Sequence, residues 1–180
     1  MKNDNTLTSQ DLTDINSEEF SQAYQQFVKT ADLISLTRQF EQGLAQTVGY
    51  LSEDGISYLS KNAEVPYGAA IIARDSDIAH WLRDSKIERG AAVPISVASI
   101  LPQIIRNPDA VLLDGKNVVF AHKMKDGRYA KFVLKMNFKD KLRHNKSRFK
   151  EYLNTFKAAG IVLAENLKEP HYKVISGGID

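Results

Sequence analysis

Three side chains that could handle a phosphate group are spaced at helical intervals near the middle of the chain. His80, Arg83 and Lys86 follow one another at three-residue steps, which places them on roughly one face of a helix. Two permanent cations close to an imidazole favour its neutral form, so His80 is suited to accept a proton near pH 7. The alternative is an ordinary surface or core histidine.

A second group of candidate residues lies in the segment from Tyr129 to Met136. Apolar residues alternate along it, which predicts a strand with one face in the core. The core-facing set would be Ala130, Phe132, Leu134 and Met136, and the opposite set Tyr129, Lys131, Val133 and Lys135. One face of a sheet would therefore carry an aromatic ring and two ammonium groups.

More cations crowd the same part of the chain: Arg128, Lys139, Lys141, Arg143, Lys146, Arg148 and Lys150. Lysine and arginine interspersed with tyrosine suit a phosphate backbone with stacked bases. The alternative is a solvated strand face followed by a lysine-rich loop.

Several familiar site signatures are missing from the sequence. We find no phosphate-binding glycine loop and no G-x-S-x-G nucleophile turn. The four histidines lack the spacing of metal ligands, and there is no cysteine for a thiolate site. We therefore expect neither a metal nor a cofactor.

Composition and charge describe a protein of one-domain size with two electrostatic zones. The chain has 180 residues, of which 43% are hydrophobic. Residues 1–66 contain four Lys or Arg against ten Asp or Glu, whereas residues 67–180 contain 20 against 12. We expect an acidic helical extension over 1–66, with 1–16 disordered, and a basic domain over 67–180. Without an export signal or a membrane span, a cytoplasmic location is expected.

The first half of the chain reads mainly as helices. Ser17 is placed to cap a helix through Val28, and an apolar stripe from Leu33 to Leu44 predicts a second helix ending near Gly49. Residues 49–66 read as a link. A strand over Ala69–Ala73 then leads into a helix capped by Asp75, and a helical segment covers Ser96–Arg106.

The second half reads mainly as strands. Runs over Ala110–Leu113, Asn117–Met124 and Tyr129–Met136 are separated by Asp-Gly pairs, which favour hairpin turns. Phe149, Leu153 and Phe156 predict a helix over Arg148–Ala159 that stops at Gly160, before final strands over Ile161–Ala164 and Tyr172–Ile175. The resulting fold class is α+β: N-terminal helices, then a mainly antiparallel sheet with helices packed on one face.

From Ile71 to Ile175 the chain resembles the barnase–EndoU–colicin–RelE superfamily of small metal-independent ribonucleases, in particular its phage- and toxin-associated members. The resemblance is carried by the helix from Ile78 to Arg83, the segment from Ile104 to Asp109, and the later hairpin and lysine-bearing strand. It implies an endoribonuclease-like effector or toxin that uses the 2′-hydroxyl of RNA as its nucleophile.

The resemblance also implies roles for individual residues. His80 would transfer a proton, with His171 or His122 as the second such residue, and Arg83, Lys131 and Lys135 would stabilise charge on the phosphorus. The side chains expected to contact the nucleic acid are Lys86, Arg128, Tyr129, Lys139, Arg143 and Tyr172. An immunity protein or another protein partner would bind the acidic N-terminal helices, and the protein would act in the cytoplasm, in a virion or in a host cell.

One departure from the family pattern supports a different interpretation. Relatives often carry a threonine or serine in a late strand, and the run Ile161–Ala164 has neither, although Thr155 lies just before it. A catalytically inactive phage-type protein that binds nucleic acid or a protein on the same scaffold is the alternative. An ADP-ribosyltransferase is less well matched, since no R…S-T-S…E-x-E pattern is present.

Overall fold

The computed structural model describes residues 24–25, 28–29, 45–82, 90, 92–144 and 147–180. Tyr24, Gln25, Val28 and Lys29 are helical, in agreement with the helix predicted after Ser17. The predicted disorder over residues 1–16, the apolar stripe over 33–44, and both Arg83 and Lys86 lie outside the described residues.

The fold is α+β, as the sequence predicts. The elements in chain order are β1 (Ala45–Tyr50), α1 (Glu53–Asn62), β2 (Ala70–Arg74), α2 (Asp75–Trp81), α3 (Ile95–Ala98), α4 (Leu101–Arg106), β3 (Ala110–Asp114), β4 (Asn117–Lys123), β5 (Tyr129–His144), β6 (Ser147–Val162), a 3-10 turn (Ala164–Lys168) and β7 (Tyr172–Gly177). Within the described part of the chain, no helix is both long enough and apolar enough to cross a bilayer.

The seven strands form one sheet in the order β1-β2-β6-β5-β4-β3-β7. Every neighbouring pair is antiparallel except β2 and β6, which are parallel. The predicted meander of β3, β4 and β5 is confirmed, and glycines in the left-handed region, Gly115 and Gly127, occupy its two turns. Such glycines are the residues that tight hairpin turns require.

The main core lies between the helices and one face of the sheet, which we call the helix face. The predicted alternation along β5 is confirmed, because Ala130, Phe132, Leu134 and Met136 all extend into this core. Trp81 of α2 contacts Phe132 and Phe156 edge-on, with ring centroids 5.5 and 5.4 Å away. Edge-to-face aromatic pairs of this kind hold α2 against β5 and β6.

We call the opposite face, which carries Lys131 and Lys135, the lysine face. The C-terminal segment covers the part of this face around Tyr129 and Val133. Leu167 of that segment belongs to the same apolar cluster as these two residues. Tyr129 is only 1% exposed, and its hydroxyl accepts a hydrogen bond from the backbone of Asp180. The expectation of an exposed Tyr129 ring is therefore wrong, because alternation defines a face but does not show what packs on it.

The helix predicted over Arg148–Ala159 is also wrong, because this segment belongs to the long strand β6 and Gly160 pairs with Lys131 inside the sheet. Two register shifts interrupt the pairing of β5 with β6. Phe156 enters the main core, whereas Leu153 packs with Ala70 and Ile72 in a separate cluster. Residues three apart lie on one face of a helix but on opposite faces of a strand, so this spacing alone does not distinguish the two.

The first part of the sheet differs from the sequence prediction as well. Residues 45–50 form the edge strand β1 rather than the end of a helix, and the predicted link contains the ten-residue helix α1. Ser52 caps α1 by accepting a hydrogen bond from the backbone of Gly55. Gly49 packs so closely on Ile105 that a Cβ there would lie 2.6 Å from a side-chain carbon, which joins β1 to α4.

We predict that Gly177→Ala destabilises the fold much more than Gly115→Ala. Both glycines have positive φ, +68° and +60°, and the left-handed conformation alone costs an L-residue about 1–2 kcal/mol. A Cβ at position 177 would also overlap the carbonyl oxygen of Asp109, whereas one at position 115 meets nothing within 4 Å. Urea unfolding of both variants measures the difference, and equal losses would contradict the close approach of β7 to Asp109.

Candidate functional site

A short parallel junction joins β2 to β6, and it begins the candidate site. Only two residue pairs form it, Ile71 with Asn154 and Ile72 with Thr155. Asn154 is 1% exposed, and its amide nitrogen donates to the carbonyls of Gly68 and Ala70 at 2.8 and 3.0 Å. The side chain therefore supplies hydrogen bonds across a junction that has very few of its own.

Thr155 is the second buried polar residue of this junction, at 2% exposure. Its hydroxyl donates to the carbonyl of Ile72 at 3.0 Å and lies 3.4 Å from a carboxylate oxygen of Asp77. Thr155 lies within β6, so this chain does carry a hydroxyl residue in a late strand. The apolar spacing of this stretch predicts a helix, and Thr155 would then lie before the strand rather than in it.

Asp77 connects Thr155 to an arginine at the start of α2. Arg74 is the N-cap residue, and its Nε and Nη2 each donate to the Asp77 carboxylate at 2.9 Å. The backbone N–H of Arg74 donates to the same carboxylate at 3.3 Å. This reach from the third helical residue back to the cap is a capping-box contact, and it replaces the predicted cap at Asp75.

A bulge next to this junction places an aromatic ring on the lysine face. Asn137 has a φ of 54°, the only positive φ of a non-glycine among the described residues. The register shift there makes Lys135 and Phe138, rather than Lys135 and Asn137, extend from the same face. The ammonium of Lys135 lies 5.0 Å from the centroid of the Phe138 ring, and the guanidinium carbon of Arg74 lies 5.5 Å from it. The ring thereby attracts both cations.

These residues surround a depression of about 230 Å³ on the lysine face, which we call the cationic depression. Its lining consists of Arg74, Asp77, Lys135, Phe138, Thr155, Phe156 and Lys157. Three formal positive charges face one negative charge. Lys135 and Lys157 are exposed, whereas the Asp77 side chain is only 12% exposed and is held by Arg74. The depression is thus suited to an anion.

Three of the predicted catalytic residues, Lys131, Lys135 and His171, lie in two separate groups. Lys135 lies in the cationic depression. Lys131 instead donates to the Tyr172 hydroxyl at 3.2 Å, and the ring of His171 lies 4.1 Å from the ring of Tyr172. At about 3.3 Å per residue, the Cα atoms of the two lysines are about 13 Å apart along β5. The two lysines are therefore too far apart along the strand to belong to one cluster.

His80 is exposed, and the helix that carries it packs on the helix face through Ile78 and Trp81. It follows Asp77 by three residues, which is about one turn of α2. Its side chain does not belong to the lining of the cationic depression. The structure thus brings the first turn of α2, rather than His80 itself, into the depression.

The residues predicted to contact nucleic acid are dispersed. Arg128 pairs with Asp126 in the β4–β5 turn, 2.8 Å apart, and this hydrogen-bonded arginine lowers the pKa of the Asp126 carboxyl. Lys139 is exposed, and Arg143 lies in β5 opposite Arg148. His122, the other candidate for proton transfer, lies 3.5 Å from Asp109.

Sequence reasoning missed Arg74, Asp77, Phe138 and Lys157. The pair Arg74 and Asp77, three residues apart where a strand meets a helix, was the one readable signal. No sequence pattern marks Phe138 or Lys157, because only the two register shifts bring them to this face.

A larger cavity of about 650 Å³ lies between α1, α4 and the β3 end of the sheet. Its walls are mainly apolar, including Leu59, Ile105 and Phe120, with Asp54 and Arg106 as its charged residues. It lacks a cluster of cations, so the cationic depression is the better candidate for phosphate. Among the described residues, no three His, Asp or Glu side chains gather as metal ligands.

We predict that Thr155→Val lowers the free energy of unfolding by about 1–3 kcal/mol, because it leaves the buried Ile72 carbonyl without its donor. Thr155→Ser, which keeps the hydroxyl, should lose less. Denaturant unfolding with circular dichroism measures both. Equal stability of the valine variant and the wild type would show that the hydroxyl does not support the junction.

No family model, no curated protein and no solved structure matches this chain. The residues that bear on function most directly are those of the cationic depression, next to the junction of β2 and β6.

Proposed function

We propose that this protein binds RNA on the lysine face and cleaves it without a metal ion, by attack of the substrate's own 2′-hydroxyl group. The observation that carries the proposal is the cationic depression, where three cations and a hydroxyl surround one carboxylate. The sequence resemblance to metal-independent ribonucleases supports the same reaction. The run Ile161–Ala164 lacks the threonine or serine of that pattern, and Thr155, earlier in β6, is the residue we propose in its place.

A phosphodiester in the depression would meet the ammonium groups of Lys135 and Lys157. Arg74 also lines the depression, where two of its side-chain N–H groups donate to Asp77 and hold the guanidinium in place. Hydrogen bonds between ionised partners are about twice as strong as neutral ones. Because Asp77 and Phe138 already hold Arg74 and Lys135, these cations need little reorganisation when charge develops on the phosphate.

Cleavage requires proton transfers in addition to charge stabilisation. His80 accepts the proton of the 2′-hydroxyl while its oxygen bonds to phosphorus and the bond from phosphorus to the 5′-oxygen breaks. The leaving 5′-oxygen takes a proton from an ammonium group of the depression. The products are a 2′,3′-cyclic phosphate and a 5′-hydroxyl end. For this step the His80 side chain, which lies one turn after Asp77 on α2 and outside the lining of the depression, has to extend towards the bound 2′-hydroxyl.

The group formed by Lys131, His171 and Tyr172 contacts a different phosphate of the same RNA. It lies on the same face of the sheet, about four residues along β5 from Lys135. Its Lys131 ammonium already lies against Tyr172, whose ring also packs at a tilt against the ring of His171. This group therefore contributes to RNA binding and does not contact the phosphate that reacts.

Binding without cleavage is the second candidate function, and one observation favours it. The helix that carries His80 packs on the helix face, whereas Lys131 and Lys135 extend from the lysine face. If α2 keeps His80 away from the bound phosphate, the same cations would bind RNA and leave it intact.

We predict that Lys135→Ala and Lys157→Ala each weaken RNA binding severalfold and each reduce the slope of log affinity against log salt by about 0.7, the value for one phosphate contact on a single strand. Lys125→Ala, in the β4–β5 turn, is the matched control and should change neither quantity. Fluorescence anisotropy over a series of salt concentrations measures both.

If all three lysine variants lose the same affinity, binding depends only on overall charge, and the assignment of the depression as a phosphate site is wrong. If the wild type binds no RNA at low salt, the proposed function is wrong as a whole.

We predict that the wild type cleaves RNA at the same rate with and without EDTA, and that His80→Ala lowers this rate about 10²- to 10⁴-fold, the usual contribution of a general base. His122→Ala, at a half-buried histidine 3.5 Å from Asp109 near the end of β4, is the comparison: the reaction proposed here, in which an ammonium group supplies the second proton, predicts an unchanged rate. Gel analysis of an end-labelled RNA measures the rates, and enzymatic end analysis identifies the cyclic phosphate.

A DNA strand of the same sequence should bind and remain uncut, since it lacks the nucleophile. Loss of cleavage in EDTA would overturn the metal-free reaction. Binding without any cleavage would select the second candidate function.

A further inference from the structure

Two tyrosines form an exposed aromatic corner beside the hairpin of β5 and β6. Tyr67 is 64% exposed and Tyr152 is 38% exposed. Their ring centroids lie 5.1 Å apart and their planes are at 88°, so one ring stands upright against the other. A corner of this shape leaves aromatic surface open to a flat ligand.

The segment that carries Tyr67 is tied to the sheet by two asparagines. The side-chain oxygen of Asn137 accepts from the backbone N–H of Tyr67 at 2.8 Å, and its amide nitrogen donates to Glu64 and to the Val65 carbonyl, both at 3.0 Å. The buried Asn154 donates to Gly68. A non-glycine residue with positive φ persists only where its surroundings hold it. These hydrogen bonds therefore hold the backbone at Tyr67 in a fixed position.

A cation completes this arrangement. The ammonium of Lys139 lies 5.7 Å from the centroid of the Tyr152 ring. Lys139 and Tyr152 pair directly across the hairpin, one position beyond the pair of Phe138 and Leu153. Because neighbouring strand residues point to opposite faces, the corner lies on the reverse side of the hairpin from the cationic depression.

We infer that Tyr67, Tyr152 and Lys139 form a subsite for one unpaired nucleotide, with the base stacked on the tyrosines and its phosphate on the lysine. Aromatic surface next to an ammonium group matches the two chemical parts of a nucleotide. A base inside a duplex cannot present its flat face to such a corner. The inference rests on the proposed function, because it assumes that the nucleotide belongs to RNA. It specifies single-stranded RNA as the class of substrate.

The test uses a labelled 2′-O-methyl oligouridylate of about twelve nucleotides, which has no free 2′-hydroxyl and so cannot be cut by the proposed reaction. The same probe annealed to its complement serves as the duplex. Tyr67→Leu and Tyr152→Leu should each weaken binding of the single strand about tenfold, in keeping with the contribution of one stacked base. Their binding of the duplex should stay unchanged.

Tyr67→Phe and Tyr152→Phe are the matched controls, because they keep the ring and remove only the hydroxyl. They should bind the single strand as the wild type does. Circular dichroism of each variant shows that it is folded. The inference is overturned if the leucine variants bind the single strand normally, or if they lose the single strand and the duplex to the same extent.

The outcomes also separate this inference from the proposed function. Normal binding by the leucine variants, with loss of binding in Lys135→Ala, would remove the subsite and leave the phosphate site in place. Loss of single-strand binding in the leucine variants, with no cleavage of ordinary RNA by the wild type, would keep the subsite and remove the nuclease. A wild type that binds neither probe would overturn both.

Discussion

The parallel contact between β2 and β6 is the constraint on which the rest of the structure depends. It joins the part of the sheet made from residues 45–74 to the antiparallel strands that follow, and it contains only two residue pairs. Asn154 and Thr155 compensate with side-chain hydrogen bonds to the β2 segment. Because a buried polar group without a partner is costly, these two residues fix where β2 lies on β6. Both α2 and the cationic depression depend on that placement.

The two bulges in the β5–β6 hairpin decide which side chains meet on each face. The first leaves Lys157 as an extra residue in β6, and the second, at Asn137, turns Phe138 towards Lys135 and Arg74. Bulges commonly re-aim side chains in this way. A regular hairpin with the same residues would separate Lys135 from Phe138. The asparagine that stabilises the second bulge also supports the loop with Tyr67, so one local irregularity shapes both faces of the hairpin.

The distribution of charge and aromatic rings gives the two faces different chemistry. The lysine face offers cations held beside an aromatic ring and a carboxylate, which suits a phosphate group. The reverse side of the hairpin offers two exposed rings beside one ammonium group. The C-terminal segment covers the part of the lysine face that includes Tyr129. RNA is the ligand that we propose for both surfaces.

The sequence by itself determined the α+β class, the β3–β4–β5 meander, the face occupied by each residue of Tyr129–Met136, and the presence of α2. These features depend on alternation, on turn glycines and on apolar spacing, which act over a few residues. Only the tertiary structure decided that residues 147–162 form a strand, that Tyr129 is buried, and that Arg74, Asp77 and Lys157 join Lys135. The contacts responsible connect residues as far apart as Gly68 and Asn154, 86 positions along the chain. No local pattern records such a contact, because the free energy that selects it arises only when distant strands pair and bury their side chains together.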